Sequence, residues 1–278
     1  MKNSFKTNTI FLSLWAAVST LIPMVVLCVF SATNQTGNFT LNNFLKIGTY
    51  SHVILKSMLF AATTTIGCLL VSFPVAYIVF KNVKPSNQKI LITLIMLPTL
   101  TNMILRTFAW MTLLEKNGLI NKVLKLLQLP PLKLINTPAA VILVMIYDFL
   151  PFMILPIYGS ICQINRNIVD AGRDLGANEL QTLCKIMVPL SFKGVLQGTS
   201  LVFVMSCSTF IVPRIMSGGT TILIGDLIES NFMGEVYNPC FGSTLALSLN
   251  VAIMLIIVLG RLKKTKKGTL KNETKIFI

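Results

Sequence analysis

The chain has 278 residues, of which 54% are apolar and only 12% charged, and its mean hydropathy is +0.75. That balance excludes a soluble globular domain and a disordered chain, and it points to an integral membrane protein. The formal net charge of +15 would suit a nucleic-acid binder, but the lysines and arginines lie in short connections and no folded basic domain carries them.

A bilayer core about 30 Å thick asks for about 20 apolar residues per helix. Six runs meet or approach that length: 9–31, 53–80, 90–114, 139–161, 190–212 and 243–259. The expected fold is all-α, a polytopic membrane protein with six transmembrane helices in one domain, 1–278. The first run follows Lys2 and Lys6 as a secretory leader would, but Pro23 interrupts it and no small-residue cleavage site follows. It is read as a retained helix. Placing the N-terminus inside puts Lys81, Lys84, Lys89, Arg166, Arg173, Lys185, Lys193 and the basic tail 261–278 on the cytoplasmic side. The bias follows the positive-inside rule and sets both termini in the cytoplasm of a multi-pass cell-membrane protein. The outer connection 115–138 dissents, with Lys116, Lys122, Lys125 and Lys133. Its portion 118–127 is read as an amphipathic helix at the outer interface with snorkelling lysines.

In chain order, the second span carries Pro74, which frees a carbonyl and permits a kink. The third carries Asn102, Arg106 and Trp110, four apart and so on one helical face. An arginine at this depth costs about 3 kcal/mol on insertion scales, so it is either a structural clamp or a pathway residue. The fourth carries Tyr147 and Asp148, and the carboxylate needs a cation or a wet cavity. It either pairs statically with Arg106 or meets the ammonium of a cationic substrate, the latter only if the arginine points elsewhere. Pro151 and Pro156 predict a broken helix of the kind that lines a path. The fifth carries Ser206 within a small polar run, suited to close helix approach or to a pore. Beyond it, Asp226, Glu229 and Glu235 make an acidic outer segment that would attract cations or dock a soluble partner.

Between the fourth and fifth spans lies 170–189, the only long polar helical stretch. Gly176 suits the left-handed end of one short helix, and Asn178 with Gln181 forms a capping box for the next. That second helix presents Leu180, Leu183, Ile186 and Met187 before Pro189. His52 is the one histidine, the cysteines show no paired metal spacing, and no Gly-rich nucleotide loop exists, so soluble catalysis and ATP hydrolysis by this chain are excluded.

Asp170-Ala171-Gly172, then Gly176, then Ile186-x-Val188-Pro189, resembles the signature loop of ABC importer permeases: E-A-A, three residues, G, nine residues, I-x-L-P. Asp replaces Glu, Gly172 replaces the second Ala at a cost of about 1 kcal/mol of helix propensity, and Val188 replaces Leu. Asp170 to Ala177 and Leu155-Pro156-Ile157-Tyr158 are most similar to the permeases of polyamine (spermidine/putrescine) importers, as is the Pro, Thr-Asn and Arg pattern of the third span. The resemblance implies a type I importer permease fold, with 162–189 as a cytoplasmic coupling loop that enters a cleft of an ATPase. Asp170, Ala171, Gly172, Gly176, Ile186 and Pro189 would be the coupling residues. It further implies a second permease subunit, two ATPase subunits, an extracytoplasmic substrate-binding protein, and ATP bound by the partner with no cofactor here. Asn102, Arg106, Trp110, Tyr147, Asp148, Ser206, Asp226 and Glu229 are the candidate substrate pathway. The same loop also serves carriers of ferric iron, thiamine, sulfate or phosphonate. A proton-coupled secondary transporter using Asp148 and Arg106 would leave the capped elbow unexplained.

Overall fold

The computed structural model describes residues 2–234 and 237–273, with side chains described from 12 to 258 outside that gap. In chain order the helices are α1 (Lys2–Ser31), α2 (Asn42–Lys46), α3 (Ser51–Asn82), α4 (Pro85–Met96), α5 (Met103–Leu114), α6 (Leu119–Leu126) and α7 (Pro138–Ile161). They continue as α8 (Arg166–Asp174), α9 (Glu179–Gln181), α10 (Val188–Leu190), α11 (Phe192–Ser208), α12 (Ile211–Met216), α13 (Ile224–Met233) and α14 (Pro239–Glu273).

Four stretches, Leu12–Ser31, Asn42–Asn82, Pro138–Ile161 and Pro239–Val258, are long and apolar enough to cross a membrane. Two bent pairs complete the expected six: Pro85–Leu100 with Met103–Leu126, at 87°, and Glu179–Leu190 with Phe192–Ser208, at 76°. The third span, expected to be continuous over 90–114, is therefore broken. Pro98 lacks the amide hydrogen that would bond back to Leu94, the chain tightens into a 3-10 turn over Leu97–Leu100, and Thr101 is extended. Asn102 then starts α5 by accepting the Ile104 amide at 2.8 Å.

The fourth span corrects the sequence in the opposite sense. The prolines predict a break, yet α7 runs unbroken from Pro138 to Ile161 with Pro151 and Pro156 inside it. A proline forfeits one backbone bond, and in a membrane a tightly packed neighbour stabilises the helix around it. Here α11 supplies that neighbour. A Cβ on Gly194 would collide with the main-chain oxygen of Pro156 and meet Ser160 Cβ at 2.5 Å, and one on Gly198 would meet Met153 Sδ at 2.8 Å. Gly194, Gly198, Val202 and Ser206 form a buried row at four-residue spacing. Along α7, Val141, Met145, Phe149, Met153, Ile157 and Ile161 form another. Two such rows interdigitate, and the Gly-x-x-x-Gly pair permits the closest approach.

These helices belong to a compact unit over Leu55–Gly225. Its core also takes Phe60, Cys68, Phe73 and Tyr77 from α3 and Met103, Trp110 and Met111 from α5. Residues before Leu55 and after Gly225 form a second unit. In it α1 packs along α14, the Tyr50 and Phe241 rings lie 5.4 Å apart, and Thr244 Oγ1 donates to the Ser31 carbonyl at 3.4 Å. Along α1, Leu14, Trp15, Leu21 and Val25 are exposed, as suits a helix solvated by lipid.

Candidate functional site

The elbow at 170–189 is shaped by local chemistry. At the end of α8 the Gly176 amide donates to Arg173 at 2.8 Å and the Ala177 amide to Gly172 at 3.1 Å, the paired bonds of a Schellman motif. Gly176 sits at φ +85°, where a side chain would be strained. Asn178 Oδ1 accepts the Gln181 amide at 2.8 Å while Gln181 Oε1 accepts the Asn178 amide at 3.1 Å, so the expected capping box is complete. The next turn then widens: Thr182–Met187 is a π-helix, with the Val188 amide reaching Leu183. It comes directly before Pro189, whose missing donor disrupts a regular ladder in any case.

That widening rearranges the expected apolar face. Met187 is buried and Ile186 partly so, whereas Leu180 is 73% exposed, as is Leu175 at 90%. Ile186 lies over Gly172, where its Cδ1 occupies the place a Cβ would take. Glycine in place of the second alanine therefore has a packing counterpart in the other arm. Asp170, Ala171 and Pro189 are exposed, and Asp170 pairs with Arg173 at 3.8 Å.

A cluster absent from the sequence reading ties this elbow to α3. Tyr77 Oη donates to Glu179 Oε2 at 2.9 Å, and Lys81 Nζ lies 2.7 Å from Glu179 Oε1. Arg173 Nη2 reaches the same Oε1 at 3.5 Å and donates to Tyr77 Oη at 3.3 Å. Beside them Arg166 sits 5.1 Å over the Phe80 ring, and a cleft of about 120 Å³ is lined by Tyr77, Phe80, Lys81, Arg166, Val169, Asp170 and Arg173. Tyr77 and Lys81 share a face of α3, but nothing local in the sequence signals their partner in α9. Gln88 is a second unforeseen tie: its Nε2 donates to the Phe80 and Val83 carbonyls at 3.1 and 2.8 Å, and its Oε1 accepts Tyr158 Oη at 2.9 Å.

Within the membrane, the structure brings four candidate pathway residues together. Arg106 Nη2 on α5 lies 3.4 Å from Asp148 Oδ1 on α7, with the side chains 13% and 1% exposed. One turn on, Trp110 and Tyr147 meet edge to face, 5.2 Å apart and at 65°. The arginine thus points at the carboxylate. Among the described residues Asp148 Oδ2, Arg106 Nε and Arg106 Nη1 have no hydrogen-bond partner. Asn102 stands one turn earlier on α5, with its side-chain oxygen occupied in capping. Ser206 lies on the row of α11 that packs against α7. Asp226 and Glu229 fall in α13, half-buried, in the second unit, and Glu235 lies outside the described residues.

No family model matches the chain. It is 31% identical over 268 residues to the spermidine/putrescine transport system permease protein PotB of Haemophilus influenzae, a match covering 92% of this chain and 93% of that protein. To PotB of Escherichia coli it is 32% identical over 224 residues, 79% and 81% of the two chains. The inner membrane ABC transporter permease YdcU of Escherichia coli is 28% identical over 225 residues, 76% of this chain and 71% of that protein. A chain of a bacterial ABC transporter involved in the import of the polysaccharide alginate superposes with a TM-score of 0.72 at 13% identity, covering 95% of this chain and 96% of that one. Another chain, from a bacterial alginate ABC transporter in complex with a pentasaccharide-bound periplasmic protein, gives a TM-score of 0.71 at 13% identity, covering 93% of both chains. At that identity the likeness is one of fold.

Proposed function

Since the chain belongs to the PotB family of transport-system permeases, we propose that it is a permease subunit of an ATP-driven importer of spermidine and putrescine. The polyamine cargo is carried over from those relatives, which are named for it. The chain supplies half of the membrane pathway, beside a second permease. Two separate ATPase subunits bind the ATP, and an extracytoplasmic binding protein delivers the cargo. The charge bias supports a cytoplasmic position for both termini and for the 170–189 elbow.

The observation that carries the coupling role is the elbow itself. Its two arms are capped at the signature spacing, so its shape is set by its own backbone bonds. Leu175 and Leu180 project from the turn as the apolar knobs an ATPase cleft would receive. Motion imposed at the elbow passes to α11 through Ser191 and from α11 to α7 along the glycine row. For the cargo, Trp110 and Tyr147 offer aromatic faces that favour an alkylammonium, whereas Arg106 points at the buried Asp148, which favours the static ion pair there.

The test is ATP hydrolysis by the assembly that co-purifies with this chain, held in nanodiscs with its binding protein. Spermidine should stimulate hydrolysis when the binding protein is present. A co-purified ATPase indifferent to polyamines would reject the cargo, and absence of any ATPase would reject the coupling role.

A further inference from the structure

We propose that Glu179 is a positioning residue that pins the coupling elbow to the end of α3, so that α3 moves with the elbow during transport. The inference rests on the coupling role proposed above and adds a second route out of the elbow, independent of the direct covalent one into α11.

One carboxylate joins three elements. Glu179 opens α9, immediately after the capping residue Asn178, so its backbone is held by the capping box. Its Oε2 accepts Tyr77 Oη at 2.9 Å, and its Oε1 lies 2.7 Å from Lys81 Nζ and 3.5 Å from Arg173 Nη2. Tyr77 and Lys81 are a turn apart on α3, and Arg173 belongs to α8. Arg173 closes the circuit by donating to Tyr77 Oη at 3.3 Å. The Tyr77 residue is only 6% exposed and belongs to the core cluster, so its hydroxyl is presented from a fixed ring. Planar bidentate geometry is absent, and the pin consists of several charge-assisted bonds converging on one group.

The place of attachment on α3 is what makes the pin mechanical. Pro74 lies three residues before Tyr77 inside α3 and has no amide hydrogen for the Leu70 carbonyl. The helix is weakest there, and everything the pin grips lies on the far side of that point. Ala76, Tyr77 and Phe80 lie in the same core cluster as Phe60, Cys68 and Phe73, so a displaced elbow moves the end of α3 together with the side chains packed on it. The Gln88 amide, bonded to the Phe80 and Val83 carbonyls, carries the same movement into α4.

Exposed charge pairs add little to stability, so breaking the pin leaves the protein folded. The complete importer, reconstituted in proteoliposomes with its ATPase subunits and binding protein, is assayed for spermidine taken up per ATP hydrolysed. Glu179→Gln should retain its ATPase subunits and lower that ratio about fivefold to tenfold, the scale of an ordinary coupling energy. Tyr77→Phe, which keeps the ring and loses the donor, should lower it less. A merely structural role would lower uptake and hydrolysis together and leave the ratio unchanged. A ratio in Glu179→Gln equal to that of the unaltered protein would overturn the pin and leave the coupling role standing. Loss of the ATPase subunits from Glu179→Gln would also overturn it, by making Glu179 a docking contact. Hydrolysis in the unaltered importer that never drives uptake would overturn the coupling role and the pin together.

Discussion

Asp148 and Arg106 are each expensive in a bilayer and are made tolerable by each other. With the carboxylate 1% exposed and the guanidinium 13%, removing one partner strands the other in a low-dielectric setting. Asp148→Ala should cost about 3–5 kcal/mol, read as a lower melting temperature of the purified protein in detergent. Replacing both, Arg106→Met with Asp148→Leu, should recover most of that loss, because two well-packed apolar groups carry no desolvation penalty. Uptake then separates the two roles of the pair: a double variant that is stable but transports poorly places the carboxylate on the path of the amine. If the single variant melts where the unaltered protein does, the pair has no structural role.

Between elements, the tightest approach is α11 on α7. Gly194→Ala sets a methyl group against the Pro156 carbonyl and Ser160, both on a rigid helix, and overpacking of this sort should cost about 1–3 kcal/mol. Gly198→Ala should cost less, since the nearest atom is the thioether of Met153, a side chain that can turn away. Thermal melting of the two variants in detergent gives the order, and equal losses would show that the rows do not meet as described. The Gly-x-x-x-Gly spacing was visible in the chain and could have predicted this contact. What the sequence did predict at this level were features whose causes are local: the Schellman turn at Gly176, the capping box at Asn178, and the amphipathic α6 beyond Gly118. What it could not predict depends on neighbours distant in the chain. Whether Pro98 or Pro156 interrupts a helix is decided by what packs there, and the grip of Tyr77 on Glu179 joins residues that no spacing rule relates.

For the molecule as a whole, six spans and their order were legible because a bilayer demands length and apolarity, both of which are written along the chain. The bending of the third was not, since composition is blind to direction, whereas the turn at Ser191 lies where the polar 170–189 elbow was expected to meet the fifth span. The ion pair across α5 and α7 also carries a consequence for biogenesis. A ribosome releases Arg106 well before Asp148, so the third span reaches the translocon with an uncompensated cation, at a cost of about 3 kcal/mol. Truncated chains ending at residue 136 and released from the ribosome should therefore leave that span only partly inserted, and released chains ending at 165 should insert it fully, as measured by protection of an engineered protease site. Equal protection in the two would mean that the span enters on its own hydrophobicity. Insertion only in the longer chain would mean that the third helix waits at the insertion site for the fourth and that the two enter the lipid as one hairpin.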